Sequence, residues 1–253
     1  MNFEAAAESY DAFMGRYSTR LAPSFAGFAE IGAGQQVLDV GCGPGALTTE
    51  LVRRLGADHV SAVDPMPHFV AANQQRNPGV SVVQAPAESL PFPDASFDAA
   101  LAQLVVHFMA DPVGGISEMA RVTRPGGVVA ACVWDHAGGQ SPVGLLWRVA
   151  RELDPTIDDE AQLAGAREGD LARLFREAGL HEIEDTALAV SYEHASFDEW
   201  WGPYEAGVGP AGRYVASLSG ERRAELREHC RAALPAAPFT LTFRAWAARG
   251  RPA

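Results

Sequence analysis

Short apolar runs recur along the first half of the chain, at about 36–40, 59–63, 80–84, 97–104 and 127–134, each of strand length. Between them, at about 46–55, 66–76 and 112–122, apolar residues return instead at the three- and four-residue intervals of one helix face. Strands alternating with helices in this way predict an α/β fold on a parallel sheet. The helix over 112–122 must stop at Arg124-Pro125-Gly126-Gly127, where proline and two glycines forbid its continuation. Residues 3–30 also carry helical spacing, with aromatics at Tyr10, Phe13, Tyr17, Phe25 and Phe28, and are expected to pack across the top or edge of the sheet.

After Trp134 the pattern changes. Residues 135–140 are a polar, glycine-containing break, followed by helical spacing at 142–153 and an acidic loop at 154–160. A helix at about 169–178 ends at Gly179, a strand follows at 182–194, and a last strand covers 240–247. Some forty residues separate those two strands, too many for a hairpin turn, so a helical insertion is expected there, opening with Phe197-Asp198-Glu199-Trp200-Trp201. With 253 residues, 47% of them apolar, the chain can bury one full core, and two large independent domains are not expected. The reading is one domain over 1–253: a helical cover at 1–30, a core at 36–134, and insertions at 136–167 and 196–236.

The candidate chemistry begins at the first strand. Val37-Leu38-Asp39-Val40 runs into Gly41-Cys42-Gly43-Pro44-Gly45 and then a helix. Glycines at alternate positions tolerate positive φ and let a ligand approach the backbone, so this turn is expected to hold a nucleoside-containing cofactor. Gly41, Gly43 and Ala46 satisfy the loose dinucleotide fingerprint, and Asp64 ends the second strand about twenty residues on, where a carboxylate can accept bonds from two ribose hydroxyls. These features suit a dinucleotide but do not by themselves decide between classes of nucleoside cofactor.

Charge narrows the partners. The formal net charge is −12, all twenty basic residues are arginine, and no basic run exceeds pairs such as Arg53-Arg54, which argues against nucleic acid or an anionic membrane. No run is apolar enough to span a bilayer, and the acidic start, Met1 to Glu8, is unlike a secretion leader. Cys42, Cys132 and Cys230 share no CxxC spacing, so neither a metal site nor a disulfide framework is expected, and a cytoplasmic setting is the simplest.

Asp39, the glycine turn, Asp64, then Ala87-Glu88-Ser89-Leu90-Pro91-Phe92-Pro93-Asp94-Ala95-Ser96-Phe97-Asp98 and Arg124-Pro125-Gly126-Gly127 together resemble the class I S-adenosylmethionine-dependent methyltransferases. The branch they are most similar to is that of the small-molecule enzymes related to the ubiquinone and menaquinone C-methyltransferases. Phe13-Met14-Gly15-Arg16-Tyr17-Ser18 and Val133-Trp134-Asp135-His136-Ala137-Gly138-Gly139 extend the likeness more weakly. The resemblance implies a Rossmann-like, doubly wound, seven-stranded sheet with an antiparallel last strand, S-adenosylmethionine as cofactor, and the two insertions as a helical cap over the substrate.

The resemblance also assigns roles. Asp39 orders the glycine loop near the methionine part of the cofactor, or else is a buried carboxylate kept for stability. The backbone of Gly41, Cys42 and Gly43 meets the cofactor, Asp64 and Pro65 its ribose, and Met66 one adenine face; Asp64 alternatively caps a helix, and Met66 merely packs. The amide of Ala87 and a nearby acid would read the adenine edge, but the usual Gly-Asp pair is Ala85-Pro86 here, which leaves Glu88 as the only carboxylate nearby. Gln103 and Leu104 end the fourth strand beside the methyl donor. His107 is the candidate general base, with a hydrogen-bonded pocket wall as the other reading. Tyr10, Arg16 and Tyr17 cover the cofactor, Arg16 facing its carboxylate unless it is a solvated surface residue. Trp134, Trp147, Trp200, Trp201, Tyr204 and Tyr214 either line an apolar pocket or pack the insertions onto the sheet.

The function expected is methyl transfer to a small, apolar or aromatic acceptor by a monomer or homodimer, without a metal. An NAD(P)-dependent oxidoreductase and a cofactor-binding protein that transfers no methyl group are the alternatives.

Overall fold

The structure, a computed structural model, describes residues 11–253; Tyr10 lies outside them. Seven strands form one sheet: β1 Val37–Val40, β2 Val60–Asp64, β3 Ser81–Gln84, β4 Phe97–Gln103, β5 Thr123–Trp134, β6 His181–His194 and β7 Phe239–Arg251. Their order is β3-β2-β1-β4-β5-β7-β6. The first five pair in parallel, and β7 enters antiparallel to both β5 and β6. The doubly wound sheet with an antiparallel last strand is as expected. One boundary differs. Thr123 already pairs with Phe97, and the next matched pair is Ala99 with Val128, so Arg124 to Gly127 bulge out within β5 rather than preceding it.

Alternation along each strand feeds two cores. Val37, Ala62, Ala99 and Leu101 face Tyr17, Leu21 and Phe25 of α1 (Arg16–Phe28) and Leu47 and Leu51 of α2 (Ala46–Leu55). Leu38, Val40, Ala100 and Ala102 face the opposite side, against α4 (Pro112–Val122) and α6 (Asp170–Glu177). Between α2 and α4 lies α3 (Pro67–Arg76), flanking β2 and β3.

A third cluster belongs to the insertions. Leu146, Trp147 and Ala150 of α5 (Gly144–Leu153) pack with Trp200, Trp201 and Tyr204 of α7 (Phe197–Glu205), Val215 of α8 (Gly209–Ser217) and Leu226 and Cys230 of α9 (Gly220–Ala233). Local sequence starts these helices. Ser196 accepts from the amide of Glu199 while Glu199 accepts from the amide of Ala195, a reciprocal side-chain cap that opens α7. Asp111 caps α4 with Pro112 in its first turn.

Candidate functional site

The connections from β1 and β4 leave toward opposite faces of the sheet, so the carboxyl ends of these neighbouring strands part and open a crevice. It measures about 330 Å³. Its walls are the turn after β1 (Gly41, Cys42, Gly43, Pro44), the end of β2 (Asp64, Pro65, Met66) and the end of β4 (Gln103, Leu104, Val105), with Asp39 at its base. Ser18, Phe69 and Phe108 also line it, and nothing in the local sequence marks the two phenylalanines.

The three glycines of the turn do different work. All have positive φ, at 70° for Gly41, 51° for Gly43 and 98° for Gly45. A Cβ on Gly43 would meet nothing within 4 Å, so this glycine leaves open room over the turn. A Cβ on Gly41 would lie 2.4 Å from Val105 Cγ1, and one on Gly45 would lie 2.6 Å from Asn77 Nδ2. Gly41 and Gly45 are thus also required by protein packing, while Gly41 and Gly43 both line the crevice.

Below the turn runs a buried polar chain. Thr48 Oγ1 donates to Asp39 Oδ2 at 2.6 Å, Asn73 Nδ2 donates to Thr48 Oγ1 at 2.9 Å, and Asn77 Nδ2 donates to Asn73 Oδ1 at 2.8 Å. Burial raises the Asp39 carboxyl to about 7, against the lowering effect of Thr48. At the lip, Asp64 accepts from the amide of Gly43 at 2.9 Å and from that of Met66 at 2.8 Å. Burial raises the Asp64 carboxyl as well, and these two amides oppose the rise. Thr48, Asn73 and Asn77 were not anticipated; the available signal was two asparagines four residues apart near the end of a helix beside the turn.

Gln103 is held by donating from Nε2 to the Ser18 carbonyl at 3.1 Å, while its Oε1 is buried without a partner. Leu104 has a φ of 62°, rare for a branched side chain, and sits where the crevice meets a second cavity. Other expected residues lie apart from the crevice lining. Ala87 is buried in the core on the α4 side, and Glu88 Oε1 accepts from the amide of Ala110 at 2.8 Å. Tyr17 packs edge-on against Tyr192 and Phe243 within the other core. Arg16 pairs with Glu199 at 3.3 Å and borders an adjoining basin, which shares Ala46 with the crevice.

The second cavity, about 50 Å³, shares Leu104 and Phe108 with the crevice. Phe108 stands 61% exposed at this seam. Phe13, Met14, Trp134 and Val143 give the cavity apolar walls, and His107, His136 and Glu160 line it too. Burial pushes the His107 imidazole down to about 3 and that of His136 to about 4. Of the aromatics singled out from the sequence, Trp134 lines this cavity. Trp147, Trp200, Trp201 and Tyr204 are instead buried in the cluster of the insertions, and Tyr214 packs beside Trp147. Among the described residues no group of three or more His, Cys, Asp or Glu could hold a metal ion, and no helix is long and apolar enough to cross a membrane.

Comparison with known proteins places these observations. An uncharacterized methyltransferase of Mycobacterium tuberculosis is 36% identical over 141 residues, 56% of this chain and 51% of that protein. The malonyl-[acyl-carrier protein] O-methyltransferase of Serratia marcescens is 32% identical over 146 residues, 58% of this chain and 56% of that protein. The chain thus spans about half the length of the curated relatives it matches. A phosphoethanolamine N-methyltransferase of Haemonchus contortus, solved with S-adenosylhomocysteine, superposes with a TM-score of 0.60 over 99% of this chain and 58% of that one. At 15% identity that likeness is one of fold. Residues 38–131, from β1 through most of β5, match the family model described as a methyltransferase domain.

Proposed function

We propose that the protein is a methyltransferase that uses S-adenosylmethionine and acts on a small apolar or aromatic acceptor. The observation that carries this reading is the meeting of two sites at Leu104 and Phe108: a crevice with polar fixtures at the sheet's switch point, and a mostly apolar cavity beside it. The crevice fits the cofactor. Gly43 leaves space over the turn, Asp64 keeps lone pairs for ribose hydroxyls beyond the two amides it already accepts, and Gln103 Oε1 awaits a donor. Bound there, S-adenosylmethionine supplies an electrophilic methyl group on a sulfonium. Pro65 and Met66, which line the crevice beside Asp64, would hold the ribose and adenine. Arg16, in the adjoining basin, would reach the cofactor's carboxylate only by giving up its pairing with Glu199.

The protein's task is then to align two reactants and keep water out. Leu104 and Phe108 border both sites and set the line between them. His107, held neutral by burial, is a poor acceptor for a proton and serves as a hydrogen-bonding wall of the cavity. The helices of the insertions close the cavity as a cap, through Val208, Gly209 and Ala211. An NAD(P) enzyme is not favoured, because residues 38–131 match a methyltransferase domain.

Thermal shifts with S-adenosylmethionine, S-adenosylhomocysteine, NAD and NADP test the reading, since a ligand of the native state raises stability with its concentration. The two sulfur ligands are expected to stabilise the chain and the dinucleotides to leave it unchanged; the reverse would sink the proposal. Asp64→Ala is expected to weaken S-adenosylhomocysteine by about 100-fold, the scale of two lost bonds to a charged group, read by calorimetric titration.

A further inference from the structure

The cavity beside the crevice holds polar atoms that its protein surroundings leave unserved. Both ring nitrogens of His136, Nδ1 of His107 and the indole N–H of Trp134 are buried without a hydrogen-bond partner. All three side chains line the same cavity, and the two imidazole centroids lie 5.6 Å apart. Native proteins rarely bury so many unserved polar atoms together unless something else completes them. The neighbouring carboxylates do not. Asp135 is engaged by Arg244 at 2.6 Å, Asp159 by Arg151, and Glu160 accepts from the Trp147 indole at 2.7 Å.

We infer that the cavity receives a neutral hydroxyl group of the acceptor, held between His136 and His107. A neutral imidazole offers one donor and one acceptor, and a hydroxyl donates once and accepts twice, so the two match in both directions. The Trp134 indole can only donate, and an oxygen can take that bond. An ammonium has no acceptor for an imidazole or indole N–H. A carboxylate has no donor, and it would bring its charge against the buried Glu160. Burial keeps both imidazoles neutral, as the match requires. His136 is thus a binding residue for the acceptor, supplied by the turn after β5. The inference takes the methyl-transfer reading for the word acceptor, while the polar match stands on the cavity alone.

Phenol, toluene and benzylamine are the probes, titrated by ligand-observed NMR into the full chain with and without S-adenosylhomocysteine. Phenol is expected to bind about tenfold more tightly than either of the others, the scale of one net hydrogen bond. His136→Phe should bring phenol and toluene to parity while S-adenosylhomocysteine affinity holds, and His136→Gln, which keeps a donor and an acceptor, should retain part of the preference. S-adenosylhomocysteine binding also shows that each variant is folded. Equal binding of phenol and toluene, tightest binding of benzylamine, no binding of any probe, or a phenol preference that survives His136→Phe would each overturn the inference. If wild type fails to bind S-adenosylhomocysteine but shows the phenol preference, the methyl-transfer reading falls and the hydroxyl site stands; folding of the variants is then read by circular dichroism.

Discussion

The crevice and the cavity share Leu104 and Phe108, yet they treat buried polar groups in opposite ways. Under the crevice, Asp39, Thr48, Asn73 and Asn77 form a continuous hydrogen-bonded chain, and Asp64 is fixed by two amides. In the cavity, His107, His136 and Trp134 keep nitrogens without partners. A satisfied network rigidifies what it supports, whereas unserved buried atoms cost stability until a ligand serves them. The difference teaches that, Gln103 Oε1 apart, the crevice is finished before its ligand arrives, whereas the cavity is completed by its ligand.

Three substitutions can break or sharpen that contrast. The largest effect is expected from Thr48→Val, which strips Asp39 and Asn73 of their shared partner and should cost about 3 kcal/mol in urea unfolding. A loss below about 1 kcal/mol would mean that the chain under the turn does not act as a unit. Next comes Asp39→Asn. Because folding raises this carboxyl from 3.8 to about 7, the native state keeps a proton that the unfolded chain has released, and the unliganded protein weakens as pH rises from about 4 to about 7. The variant lacks that slope, so it should converge with wild type near pH 4 and gain on it as pH rises toward 7, keeping that gain at pH 8. A constant offset across that range would contradict the assignment.

The smallest effect is a gain. His136→Phe replaces unserved nitrogens by carbon and should stabilise the unliganded chain by about 1 kcal/mol at pH 8. Folding depresses this imidazole from 6.5 to about 4, so wild-type stability falls as pH drops from 6.5 toward 4. The variant should lose less over that interval, and a loss equal to wild type would show that His136 titrates freely.

Much of the finished site was legible because its signals are local. A strand, a glycine turn and a helix are consecutive in the chain, and Asp64 ends the next apolar run, so periodicity and turn chemistry locate both. The chain beneath the turn was not legible, since Asn73 meets Thr48, and Asn77 meets Thr49, only after α3 docks beside α2, and polar residues on a helix ordinarily read as solvated. The same limit explains Trp147, Trp200, Trp201 and Tyr204, because periodicity records that a side chain is buried but not whether it faces a neighbour or a cavity. Arginine and tyrosine in the opening helix carried a similar ambiguity: Tyr17 went to the core, and Arg16 met Glu199, which is distant in sequence. His136 lay in a polar break that periodicity reads as loop, and it becomes notable only once its buried ring is found without partners.

The position of β7 carries a consequence for the order of assembly. β3, β2, β1, β4 and β5 can pair once residue 134 is available, whereas β7 joins residues as distant as Val129 and Gly250. Closing so long a loop is slow, and until it closes, β5 is an unpaired edge. During synthesis the crevice half of the sheet can therefore take shape while the other half still waits for its central strand, and a chaperone or a bound nucleoside would find its first foothold there.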